Sequence, residues 1–234
     1  MHRKDYSVIP RKIPNFAHMK RLFVFLAAAG VLLSCAHRMV SKNEMWVEDL
    51  RNGDLVFQAS EDGAMTDAIH ASTDRGADLS FSHVGIVQVE GKTVSVIEAV
   101  SQGVTKTSLE DFLAASAWVD GKPAVRFYRL WNHDESVANA AVERALGYIG
   151  RPYDYAYAPG DSALYCSELV YECYLDPDGS HIFTPLSMTF KDSSGEFPQF
   201  WIDLFERLGQ PIPEGEPGTN PNAMSLDPVI APLK

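Results

Sequence analysis

Cysteine is scarce in this chain: only Cys35, Cys166 and Cys173 occur in 234 residues. That count excludes a fold stapled by a disulfide framework. Positive charge is also short, with 20 Lys and Arg against 31 Asp and Glu and a net charge of −11. Such a chain lacks the basic footprint that binds a phosphate backbone, so nucleic acid is excluded as a partner. No apolar run is long enough to cross a bilayer comfortably: the longest, Leu22 to Leu33, has 12 residues, where about 20 are needed. Internal repeats are missing too. So are the close His and Cys spacings of a zinc site, and no cofactor or metal is expected.

What the N-terminus does contain is an export pattern. "MKRLFVFLAAAGVLLSC" starts at Met19 with two basic residues, Lys20 and Arg21, followed by the short apolar run and then Ser34 and Cys35. This order describes a secretory signal. Its "LLSC" end resembles the lipobox of bacterial lipoproteins, which implies lipid on Cys35. Residues 1–34 are therefore expected to be signal peptide with an upstream extension before Met19, 35–52 a polar tether, and 53–234 one catalytic domain. The first 34 residues carry six Lys and Arg and one Asp, so their removal takes the net charge from −11 to −16. The resulting expectation is a lipid-anchored protein of the cell envelope, on the outer membrane and facing the periplasm or the surface.

With Cys35 assigned to lipid, Cys166 and Cys173 remain, in "SALYCSELVYECY". Seven residues apart in a helix, they stand about 10 Å from each other, beyond the roughly 7 Å a disulfide tolerates. Asp161 and Ser162 are possible N-caps, which puts Cys166 in the first turn. There the backbone N–H groups and the helix dipole favour a thiolate. Cys173 lies on a later turn with Leu169 and Val170 and reads as a packing residue.

A thiolate needs a base, and hairpin register supplies one. "FSHVGIVQVE" and "TVSVIEAV" are strand-like runs joined by Gly91-Lys92, a two-residue connection suited to a type II′ turn. Glu90 then faces Thr93, Gly85 faces Glu98, and Glu98 becomes the diagonal same-face neighbour of His83, about 7–8 Å away at the backbone. Both faces of these strands are apolar, so a histidine and a glutamate there need partners. A carboxylate on the imidazole would fix its tautomer and leave the other nitrogen for a thiol. His70, His133 and His181 read as solvated. Further strands are expected at "DLVFQ" and "AVRFYRL", and a helix from Glu135 to Ile149. The part beyond Asp176 reads as an irregular wrap apart from "FWIDLFERL".

"GDLVFQ", "FSHVGIV", "VIEAV" and "YCSELVY", in this order, resemble the YiiX/YaeF-type permuted papain-like amidases, relatives of the NlpC-type cell-wall peptidases. In ordinary papain-like enzymes the nucleophile helix comes before the histidine strands; here it comes after. The resemblance implies an α+β fold, an antiparallel sheet or half-barrel packed on the nucleophile helix. It also implies Cys166 as nucleophile, His83 as base and Glu98 as orienting residue. The expected reaction is hydrolysis of an amide in a cell-wall peptide, a small molecule or an N-acyl lipid. Two alternatives stay open: a papain-like lipid acyltransferase and a non-catalytic surface binding lipoprotein. The Cys166 N–H is expected in the oxyanion hole, with Gln58 and Tyr165 as candidates for its second donor.

Overall fold

The computed structural model describes residues 45–233 apart from 62, 75, 77, 78, 159 and 161. The expected signal peptide and Cys35 lie outside the described residues. In chain order the elements begin with α1 (Met45–Glu48), β1 (Leu55–Gln58), α2 (Ala64–Thr73), β2 (His83–Glu90), β3 (Thr93–Val100), β4 (Gly103–Ser108) and α3 (Leu109–Ala114). A small hairpin, β5 (Trp118–Val119) and β6 (Lys122–Pro123), leads to β7 (Val125–Leu130), α4 (Glu135–Tyr148) and α5 (Cys166–Cys173). The C-terminal part holds β8 (Leu186–Ser187), α6 (Gln199–Leu208), β9 (Pro217–Gly218), α7 (Pro221–Ser225) and β10 (Ile230–Pro232).

Six strands form one antiparallel sheet in the order β10-β7-β1-β2-β3-β4. The β2–β3 register runs from Ile86 opposite Ile97 to Glu90 opposite Thr93, as the two-residue loop requires. Gly91 has φ 63° while Lys92 keeps a negative φ, so only the first loop residue needs glycine's freedom. Alternation along the strands divides the sheet into two apolar faces. Leu55, Phe57, Val84, Ile86, Ile97 and Ala99 pack against α4 and α5. Val56, Val87, Val96 and Phe127 pack against Leu109 and Phe112 of α3 and against Leu50. This is the expected α+β arrangement, with the Cys166 helix α5 following the central sheet strands it packs on.

Local chemistry sets the helix starts. Ser108 caps α3 by accepting the Asp111 N–H at 3.1 Å, and Asp134 caps α4 by accepting the Ser136 N–H at 2.8 Å. Helix α5 starts later than expected. Tyr165, not Ser162, is its N-cap, and Asp161 lies outside the described residues. The delay has a cause: Leu164, fully buried, donates its N–H to the Pro152 carbonyl at 3.0 Å, which holds the approach to the helix extended. Cys166 thereby becomes the first helical residue.

Two features differ further from the sequence reading. Strand β4 is an addition to it. Its Val104 bonds the Arg151 carbonyl at 2.8 Å and accepts the Gly150 N–H at 2.9 Å, tying loop 151–158 to the sheet. Gly103, with φ 106°, leaves room for that loop, since a Cβ there would strike the Arg151 carbonyl. The tail is not an irregular wrap either. Its β10 pairs with β7 as an edge strand of the main sheet, and β8 pairs with β9. Met188, Phe190, Trp201 and Phe205 meet Tyr157 and Tyr165 in a third apolar cluster.

Candidate active site

His83 opens β2 and Glu98 lies on β3, and their side chains meet: His83 Nε2 and Glu98 Oε2 are 2.6 Å apart. The contact is the diagonal that the register defines. Gly85, between them on the same face, carries no side chain, and a Cβ there would collide with Val96. The imidazole stacks on Phe112 at a centroid distance of 5.8 Å, which fixes the ring plane. With Nε2 committed to Glu98, Nδ1 is the ring nitrogen left to serve the Cys166 side chain, which lines the same cavity as His83 and Glu98. Cys166 is buried, 5 % exposed, at the start of α5. All three sequence-predicted residues therefore come together.

The neighbours of His83 favour its protonated form. Burial opposes a proton on His83, but its interactions with the Cys166 and Glu98 side chains outweigh that and raise the imidazole to about 10. Burial likewise opposes the Glu98 charge, yet hydrogen bonds from His83 and Thr107 and the His83 charge hold its carboxyl below the usual range. Cys173 is different: fully buried, with its thiol pushed up by desolvation. It is a core residue. The second free thiol has no imidazole beside it.

Of the two oxyanion candidates named from sequence, Gln58 has its amide N–H engaged elsewhere, while the Tyr165 hydroxyl is occupied as an acceptor only. Gln58 donates its amide to the Phe112 carbonyl at 2.7 Å, and the Tyr165 hydroxyl accepts the Thr219 N–H at 3.1 Å. The Tyr165 N–H points to the Glu168 carboxyl at 3.4 Å, a group that burial raises to about 8. The histidines outside the group are peripheral. His133 lies 3.6 Å from Asp176, and His181 stacks on Tyr171 with Glu172 at 3.6 Å. His70, expected in solvent, instead has an enclosed Nε2 without a hydrogen-bond partner.

Sequence reasoning missed Tyr153 and Tyr157. They sit in the aperiodic "RPYDYAYAPGD" loop, where no spacing marks a buried side chain. Asp154 organises that loop by accepting the Ala156 and Ala158 N–H groups, each at 2.8 Å. Two cavities meet at Cys166. The wider, about 380 Å³, is lined by His83, Glu98, Gln58, Glu61, Asp111 and Tyr155 among others. The narrower, about 50 Å³, is lined by aromatic and small polar residues including Tyr157, Tyr165, Phe190 and Trp201, with no charged residue. Cys166, Tyr153, Ile69 and Ser82 line both.

This geometry has relatives. Residues 49–233 match the family described as permuted papain-like amidase enzyme, YaeF/YiiX, C92 family. The chain belongs to that family. It is 30 % identical to the uncharacterized protein YiiX of Escherichia coli (strain K12) over 174 residues, 74 % of this chain and 81 % of that protein. It also superposes on the crystal structure of metalloprotein yiiX from Escherichia coli O157:H7 with a TM-score of 0.62 and 27 % identity, covering 79 % of this chain and 96 % of that one. Family membership supports cysteine amidase or peptidase chemistry and an amide-containing substrate, and the permuted order of histidine strand before cysteine helix is the family's own.

Proposed function

We propose that this chain is a cysteine amidase whose nucleophile is Cys166, whose acid and base is His83 and whose orienting residue is Glu98. The observation that carries the reading is the His83–Glu98 hydrogen bond beside Cys166 at the junction of two cavities. The Cys166 thiolate attacks the amide carbon, forming a C–S bond and an oxyanion. On collapse the C–N bond breaks and the departing amine takes the His83 proton. Water then attacks the thioester, His83 accepts its proton, and the thiolate leaves as the acid is released. The Cys166 N–H is one oxyanion donor, since a first-turn N–H has no acceptor within its own helix. The second is the Tyr153 hydroxyl: it lines both cavities, and burial and nearby phenols and sulfur keep it protonated.

The two cavities assign the two halves of the substrate. His83 must protonate the leaving amine, so the amine belongs in the wide cleft that His83 lines. The acyl group belongs in the narrow cavity on the other side of the sulfur. A wide cleft bordered by the exposed Glu61 and Asp111 admits water, which favours hydrolysis over transfer between lipids. Among the described residues no three His, Cys, Asp or Glu side chains form a metal-ligating group. The "LLSC" motif supports placing the mature protein on a membrane through Cys35, and among the described residues no helix is long and apolar enough to cross one.

The test is turnover of a panel of acyl amides sharing one fluorogenic amine. Cys166→Ala and His83→Ala are each expected to lower kcat/KM by at least the roughly 10²–10⁴-fold assigned to a positioned acid or base. A His83→Ala protein that folds and turns over at the wild-type rate would overturn the assignment.

A further inference from the structure

Glu98 has a strand on each side, and only one of its neighbours has been used so far. On β4, Thr105 stands directly opposite Glu98 and Thr107 opposite Val96. Thr107 is thus a diagonal same-face neighbour of Glu98, the relation that His83 holds on β2. The diagonal is filled: the Thr107 side chain hydrogen-bonds the Glu98 carboxylate. His83, Glu98 and Thr107 all line the wide cavity. One row of polar side chains therefore crosses three adjacent strands.

Local structure holds Thr107 in that row. The two-residue connection Ser101-Gln102 sets Val100 opposite Gly103, and this register brings residue 107 opposite Val96. The next residue, Ser108, ends β4 and caps α3, whose Phe112 stacks on the His83 ring. A β-branched side chain in a strand also has few χ1 choices. The hydroxyl needs little further ordering to meet the carboxylate.

The carboxylate needs that meeting. The Glu98 side chain is only 8 % exposed, and an ionised carboxylate so enclosed calls for partners on both oxygens. Oε2 is taken by His83 at 2.6 Å. Glu61, Asp111, Tyr153, Tyr155 and Cys166 are the other ionisable groups along the cleft. Besides burial, His83 and Thr107 are the influences on the Glu98 proton among the described residues, and both favour its loss.

We propose that Thr107 is a positioning residue of the amidase, its hydroxyl donating to the Glu98 carboxylate and fixing it toward His83 through acylation and deacylation. The proposal rests on the reading of Cys166, His83 and Glu98 as the catalytic group.

p-Nitrophenyl acetate separates the steps. The Cys166 sulfur bonds to the acetyl carbon and p-nitrophenolate leaves in a burst. The steady rate that follows reports thioester hydrolysis, in which His83 accepts a proton from water. Thr107→Val keeps the side chain's shape and strand preference and removes the hydroxyl. It is expected to leave the burst amplitude and melting temperature near wild type and to lower the steady rate roughly tenfold, the scale of one hydrogen bond to a charged group. Thr107→Ser recovers most of that rate, and Thr105→Val changes neither quantity. In a Glu98→Ala background, Thr107→Val slows hydrolysis no further. By ¹³C NMR the Glu98 carboxyl titrates about one pH unit higher in Thr107→Val, because a donor to its ionised form is gone. A steady rate or a Glu98 midpoint unchanged in Thr107→Val overturns the role of Thr107 and leaves the catalytic group standing. So does a rate loss matched by a smaller burst, or one that persists without Glu98. A wild type with no burst, or Glu98→Ala hydrolysing at the wild-type rate, removes the catalytic assignment and the proposal with it.

Discussion

Glu98→Gln is the perturbation that probes the site's electrostatics most selectively, because it keeps the shape of the His83 partner and removes only its charge. Glu98 Oε2 lies 2.6 Å from His83 Nε2, and both side chains are mostly shielded from water. Loss of an opposite charge at that range lowers an imidazole by about 1–3 pH units. The His83 midpoint, about 10 with both partners in place, is therefore expected at roughly 7–9 in the variant. Cys166→Ala should move it at least as far, since interaction with the sulfur raises the imidazole more than interaction with the carboxylate does. The sign on stability follows. A histidine that gains proton affinity on folding adds stability fully below its ordinary 6.5, and that stability is lost as pH climbs through about 10. The assay is an NMR titration of the His83 ring with the alkaline limb of kcat/KM measured in parallel. Acylation needs the imidazolium, so the two midpoints should coincide and fall together in Glu98→Gln. A wild-type His83 titrating near 6.5, or a midpoint unmoved by Glu98→Gln, would refute the raised proton affinity of His83.

Three further outcomes are expected. Iodoacetamide should label Cys166 in the native protein and leave Cys173 unlabelled until unfolding, as Cys173 is fully buried and its thiol is pushed up; equal labelling on peptide mapping would count against the distinction. Asp154→Ala removes the acceptor for consecutive loop N–H groups. It should cost on the order of 1–3 kcal/mol in denaturant unfolding and lower kcat more than a surface alanine does, because Tyr153 and Tyr157 lose their positions. Cys35→Ser should release the protein from membranes or leave it uncleaved; a variant that is processed and still sediments with membrane would remove the lipid anchor.

The parts of the site that could be read from the sequence are those governed by period and register. Gly91-Lys92 permits one pairing of the flanking strands, and that pairing alone brings Glu98 to His83. Cys166 and Cys173 were distinguishable because helical spacing separates them and only one lies at a helix start. Tyr153 and Tyr157 were not legible. Their positions depend on a buried aspartate collecting backbone N–H groups in an irregular loop, and on aromatic residues more than thirty positions later in the chain. The same limit applies at the C-terminus: β10 has three residues and ends in Pro232, which is tolerated there because the strand is at the sheet edge. The α5 start was misplaced because Ser162 is a good cap by residue type, while Leu164 is held extended by a bond to Pro152 that no local rule contains.

The most direct test of the account is to catch the acyl group on the sulfur. An activated ester, a p-nitrophenyl ester of a short acyl acid, acylates faster than the thioester hydrolyses, so the covalent species accumulates and survives an acid quench. Intact-mass analysis should show one added acyl group, mapped to the peptide containing Cys166, absent in Cys166→Ala and strongly slowed in His83→Ala. An unmodified protein, an adduct on another residue, or acylation that proceeds equally without His83 would contradict it.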